Sequence, residues 1–184
     1  MRMTEQTDVE IMATGRFMRM IKRGRWEYVE RHNAEGAVAI IATTDANELI
    51  LVEQPRVPLD QRCIELPAGL AGDSDDDRGE ALIDAARREL LEEAGYEAAT
   101  IEHLFTVATS PGLTNETIDL FRATGLTRAH EGGGVDHEDI TVHLVPIAQV
   151  DDWLKSRAAA GQAIDVKVYT AAAMIKTEAS QPGL

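Results

Sequence analysis

Apolar and polar positions change period several times along the chain, and each change marks an element. Residues 1–13 are largely polar and carry no sustained period, which predicts a flexible N-terminal arm. Phe17 to Ile21 and Trp26 to Glu30 read as strands separated by the turn-prone Lys22-Arg23-Gly24-Arg25, so a small strand region, 14–35, precedes the main domain, 36–184. Ala37 to Ile41 and Leu49 to Val52 are short runs rich in β-branched residues with polar text between them, the pattern of buried neighbouring strands. From Gly79 to Ala94 good helix formers take over, and Gly95 stands where a C-terminal cap belongs. Ile101 to Ala108, Thr117 to Ala123 and Ile140 to Pro146 predict further strands, and Ala148 to Ala159 and Val166 to Lys176 two amphipathic helices. Strands, one helix, more strands and terminal helices imply an α/β sandwich in which helices cover a mixed central sheet.

The first helix breaks the apolar rule. Placed on a wheel from Leu82, residues Ala85, Ala86, Leu90 and Ala94 form one stripe from about −60° to about +120°. Glu89 falls at about −20° and Glu93 at about +20°, in the middle of that buried side, while Glu92 at about −80° flanks it beside Arg88. Ionised carboxylates in a low-dielectric region repel each other and lose hydration, at a cost of several kcal/mol per ion unless a cation compensates. Oxygen ligands at this density suit Mg²⁺ or Mn²⁺. A solvated charge run is the competing reading, and periodicity alone does not separate the two.

Composition narrows the classes. The 184 residues are 44% apolar, enough for one domain with a sizeable core. Thirty-two acids against 18 Lys and Arg give a net charge of −14, the opposite of what nucleic acid or an anionic membrane would attract. The single cysteine, Cys63, excludes an intramolecular disulfide and a cysteine-cluster metal site. With no bilayer-length apolar run and no signal-peptide pattern, the expected location is the cytoplasm.

Glu80, seven residues, then Arg88-Glu89-Leu90-Leu91-Glu92-Glu93-Ala94-Gly95-Tyr96 resembles the signature box of Nudix hydrolases. In the family pattern five residues separate a glycine from the first glutamate; ten separate its counterpart, Gly69, from Glu80, and the extra stretch is the acidic Asp73 to Asp77. Ile64 to Leu70, Ser110 to Glu116, Trp26 to Arg31 and Gln54-Pro55-Arg56 resemble the ADP-ribose pyrophosphatase branch, with Pro111 fifteen positions after Tyr96. The resemblance implies a Nudix α/β/α sandwich and a homodimer with exchange of the N-terminal strand region. It implies that Glu89, Glu92, Glu93 and the backbone carbonyl of Ala68 bind Mg²⁺, with Mn²⁺ as substitute. Arg88 would orient a box carboxylate, and Glu138, on the glycine-rich loop after Glu131, would be the general base, with Asp136 as fallback. Arg31, Arg56, Trp26, Glu65, Pro111 and Glu116 would contact substrate, Trp26 by stacking on a base across the dimer or else by packing in the core.

The reaction implied is metal-assisted hydrolysis of ADP-ribose, or a close ADP-sugar, to AMP and a sugar phosphate. Two alternatives stand beside it: the same chemistry on GDP- or UDP-sugars or other nucleoside diphosphate derivatives, and a silent module that binds ADP-ribose as a sensor.

Overall fold

A computed structural model describes residues 8–73, 77–135 and 138–179. It opens with a three-stranded antiparallel sheet: β1 (Val9–Thr14), β2 (Met18–Arg23) and β3 (Trp26–Arg31). The expected hairpin is β2 and β3. The described part of the expected arm, by contrast, is strand, because β1 finds backbone partners along β2 from Val9↔Arg23 to Thr14↔Arg19. Pairing, which a period of side chains does not report, ordered it.

The body contains β4 (Gly36–Ala42), β5 (Glu48–Arg56), β6 (Gln61–Glu65), β7 (Ala68–Ala71), α1 (Leu82–Glu89), β8 (Tyr96–Ala108), β9 (Thr117–Arg128), β10 (Thr141–Pro146), α2 (Val150–Ala159), β11 (Ala163–Ile164) and α3 (Val166–Ala179). The expected single central sheet is two four-stranded mixed sheets, ordered β10-β5-β6-β11 and β7-β4-β9-β8. β4 and β5 are thus buried as expected, yet they belong to different sheets, and the chain just past β4 meets β5 in one isolated bridge, Thr43↔Leu49. Successive side chains of a strand face opposite ways. Ala37, Ala39 and Ile41 of β4 therefore pack with Leu49, Leu51, Ile64 and the helix residues Leu154, Val168 and Ala172. Val38, Ile40 and Ala42 face Ala85, Ala86 and Leu90 of the first helix. Helices on both outer sides complete the α/β/α arrangement. Among the described residues no helix is long and apolar enough to cross a membrane.

The first helix begins at Leu82 rather than Gly79, whose positive φ of 79° is not helical. Its last turn, Leu90–Ala94, widens to a π-helical turn that ends at Gly95, left-handed at φ 80° and donating to Leu91 O at 2.8 Å. Such turns recur at functional sites; this one carries Glu92 and Glu93. Leu51 has no exposed surface in the inter-sheet core. Leu51→Ala is expected to cost about 2–5 kcal/mol by urea denaturation; a loss under about 1 kcal/mol would contradict this packing.

Candidate active site

The helix drives its carboxylates inward, as the wheel arithmetic required. Glu93 is 3% exposed, and the Glu89 side chain is 12% exposed. Glu93 Oε2 accepts the Ala68 amide at 2.8 Å and its Oε1 faces Gln54 Nε2 at 3.4 Å. Glu89 lies so close to Gly69 that a Cβ there would sit 2.0 Å from the carboxyl carbon, so only glycine admits this approach. Gly69 thus occupies the place expected of it despite the lengthened spacing to Glu80.

Arg88 is the counter-ion of the cluster. Nε and Nη2 donate to the two oxygens of Glu80 at 3.1 Å each, Nη1 to Glu89 Oε1 at 2.8 Å and Glu92 Oε2 at 3.2 Å, and Nη2 also to Leu70 O at 2.9 Å. Together these bonds use the fork of donors that makes arginine suited to carboxylates. The compensation is incomplete. Desolvation, with repulsion from Glu92 and Glu138, raises Glu89 from 4.5 to about 7 despite Arg88. Glu93 is raised to about 8 by desolvation and by Glu89 and Glu138, against the Ala68 amide and Arg56.

Of these side chains Glu89 borders a cavity of about 620 Å³, whose wall also includes Arg31, Arg56, Glu65, Ala68, Gly69, Asp73, Glu116, Glu138 and Lys167; Glu93 lies beside that wall, bonded to the Ala68 amide. The two expected cations are already paired. Arg56 grips Glu65 through two bonds of 2.6 and 2.5 Å, and Arg31 Nε donates to Glu116 at 2.7 Å. Glu65 and Glu116 therefore orient arginines in this structure, a more specific placement than the sequence allowed. Lys167, absent from the sequence reading, adds a third cation, held to Asp165 Oδ2 at 2.6 Å. Only its place at the start of α3, two residues after a side chain that accepts its own amide, puts it here, and no motif marks it.

Two expected contacts lie elsewhere. Trp26 is 57% exposed on the N-terminal sheet, neither in the core nor on the cavity wall of its own chain. Pro111 is also off the wall. Its loop instead docks β3 onto the body, with Val29 N donating to Leu113 O at 2.8 Å and Asn115 Nδ2 to Glu30 at 2.9 Å. Cys63 lines the cavity, but burial pushes its thiol up to about 12, which removes it as a nucleophile. Asp136 and residues 74–76 of the acidic insert lie outside the described residues.

The NUDIX domain matches residues 34–165. The chain belongs to the Nudix family. Within this Nudix chain, 112 residues are 44% identical to the methanol dehydrogenase activator of Bacillus methanolicus, covering 61% of the chain and 57% of that protein. The ADP-ribose pyrophosphatase of Bacillus subtilis (strain 168) is 37% identical over 120 residues, 65% of the chain and 61% of that protein. The GDP-mannose pyrophosphatase of Cronobacter sakazakii is 36% identical over 137 residues, 70% and 68% respectively. The Nudix chain thus spans about three fifths of the length of the first two relatives. A crystal structure of an ADP compounds hydrolase superposes with a TM-score of 0.63 at 24% identity, covering 80% of both chains, and shares the Nudix fold.

Among the described residues no three acidic, histidine or cysteine side chains already close on one point; the Nudix carboxylates are turned to Arg88, Ala68 and Gln54. The donor set nevertheless fits a hard divalent cation: acid oxygens of Glu89 on the cavity wall and of Glu93 buried beside it, in excess of the charge Arg88 offsets. A linkage follows from the raised values. Between about pH 5 and pH 8 the folded chain binds more protons than the unfolded one, so stability without metal falls as pH rises through that window. Thermal unfolding at pH 5.5 and 8 should show this fall, and MgCl₂ should reverse it more at pH 8 while releasing protons on binding at pH 6.5. A stability that is flat or rising over the window, with no proton release, would contradict the placement of Glu89 and Glu93.

Proposed function

We propose that this chain hydrolyses the diphosphate of ADP-ribose or a related ADP-sugar, giving AMP and a sugar phosphate, with Mg²⁺ as cofactor and Mn²⁺ as substitute. The observation that carries this reading is a Nudix helix that puts Glu89 on the wall of a cavity also lined by Arg31, Arg56 and Lys167, with Glu93 buried beside it against Ala68. Glu89, Glu93, the Ala68 carbonyl and Glu92 would hold the cation. When bound, it would shield the substrate's charge and lower the pKa of a water.

The chain's own residues do the rest. Arg88 keeps Glu89 and Glu92 oriented through its fork. Arg56 and Arg31, fixed by Glu65 and Glu116, present guanidinium edges to the phosphates, and Lys167 adds a point charge on the α3 side. Local cations are needed because a chain of charge −14 repels an anionic substrate at long range. Glu138, on the cavity wall, takes the proton of the attacking water, while the wall acids Glu65, Glu116 and Asp165 are engaged by Arg56, Arg31 and Lys167. A relative named for ADP-ribose and a neighbour named for ADP compounds favour adenine; the relative named for GDP-mannose keeps the guanine reading open to the same test.

The assembly we propose is a homodimer joined through the N-terminal sheet, in the cytoplasm, without nucleic acid or membrane. Support comes from Val9, Ile11 and Trp26, apolar side chains exposed on one face of that sheet. In the dimer, Trp26 would reach the partner's cavity and stack on the base. Light scattering is expected to give twice 20.1 kDa; a monomer at micromolar concentration contradicts the dimer.

Incubation with ADP-ribose, GDP-mannose, UDP-glucose and NADH, with Mg²⁺ or EDTA, tests the reaction. AMP and ribose 5-phosphate should form only with metal and fastest from ADP-ribose. Binding of ADP-ribose without turnover of any substrate would favour the sensor. Glu93→Gln should abolish turnover and raise the metal-free unfolding temperature at pH 8, because a buried repulsive charge is removed; full activity would sink the metal assignment.

A further inference from the structure

We propose that Arg62 is a positioning residue that sets the root of the loop carrying Glu138, an inference that rests on Glu138 being the general base. Arg62 stands on β6, which pairs with β5, and β5 pairs in turn with β10. Its side chain crosses the middle strand. Nε donates to Glu53 Oε1 and Nη2 to Glu53 O, both at 2.9 Å. Beyond β5, Nη1 donates to Asp139 Oδ2 at 2.7 Å, and Nη2 also reaches Asp139 O at 3.1 Å and Thr141 Oγ1 at 3.3 Å. One guanidinium thus ties three strands at the residue that follows Glu138.

The support beneath this fork is rigid. Glu53 is buried, and its second oxygen faces His143 Nε2 at 2.9 Å. The His143 ring meets Trp153 edge-on at 5.2 Å, and Arg157 lies over the same indole at 4.7 Å. On the adjacent position of β5, pointing the other way, Gln54 faces Glu93. The same strand therefore registers the loop root and the helix carboxylate against each other.

The loop's other end is fixed to the helix itself. Gly133 N donates to Glu93 O at 2.9 Å and Gly134 N to Glu92 O at 3.0 Å. A Cβ on Gly134 would come within 2.4 Å of a Glu138 oxygen, so the carboxylate rests on that glycine, where it accepts the Val135 amide at 2.9 Å. With this end bonded to the helix, Arg62 supplies the second point needed to fix Glu138. The bonds to buried Glu53 serve stability, but the reach onward to Asp139 is not called for on that ground, since Asp139 is 71% exposed and exposed ion pairs contribute little.

The test is a double-mutant cycle on the full chain with ADP-ribose and Mg²⁺. Glu138→Gln should lower kcat about a hundredfold or more. Arg62→Met should lower kcat about tenfold or more, with KM and Mg²⁺ affinity changed less than about twofold. The double variant should be no slower than Glu138→Gln alone, because Arg62 acts only through that residue. Independently of turnover, Arg62→Met should speed hydrogen exchange at the Val135 and Glu138 amides while leaving the Gly133 amide protected. If Arg62→Met does not fold, Asp139→Ala with Thr141→Val removes two of the bonded groups and should slow kcat in the same direction. Full activity of Glu138→Gln would overturn the base reading and this inference with it. A slow Glu138→Gln beside an unaffected Arg62 variant, or additive losses in the double variant, would overturn the inference alone.

Discussion

The placement of two carboxylates on the inner face of the first helix is the constraint around which the rest of the site is arranged. Their burial requires three compensations, and each has shaped a different segment. Arg88 brings a guanidinium to Glu80, Glu89 and Glu92. Ala68 turns its amide to Glu93, and Gly69 forgoes a side chain so that Glu89 can approach. What remains uncompensated appears as raised proton affinity on both acids. A fold selected for stability alone would place alanine or leucine there, as it does at Ala85, Ala86 and Leu90. Strongly perturbed acids of this kind cluster at functional sites, which is the ground for the proposed cation.

The cavity follows a different logic. Its cations Arg56, Arg31 and Lys167 are each paired locally, with Glu65, Glu116 and Asp165, so they act at contact distance rather than through a long-range field. Arginines held this way lose little conformational freedom when they meet a ligand, and the strongly negative chain avoids binding anions without regard to shape. The N-terminal sheet is fastened by the 109–116 loop, so Arg31 reaches the cavity although most of its sheet faces solvent.

Much of this was legible in the sequence, for identifiable reasons. Glu89 and Glu93 stood out because a helix period makes a polar residue on the apolar stripe visible, and the box around them has fixed spacing. The strands β4 and β5 were visible as apolar runs, but burial does not name a partner, so their division between two sheets was not. Ala68–Ala71 and Gln61–Glu65 have little strand character and became strands through pairing. Val9–Thr14 was hidden for the same reason. Lys167 and Arg62 left no trace, because their importance lies in what they face across the fold, information that local spacing does not contain.

The most direct measurement of the central claim is a crystal structure of the chain soaked with Mn²⁺, read by anomalous scattering. The account predicts a peak between the Glu89 and Glu93 carboxylates beside Ala68, with Arg88 withdrawn from Glu89 and retained by Glu80. A peak remote from both carboxylates, or Glu89 still bonded to Arg88 with manganese bound elsewhere, would contradict it.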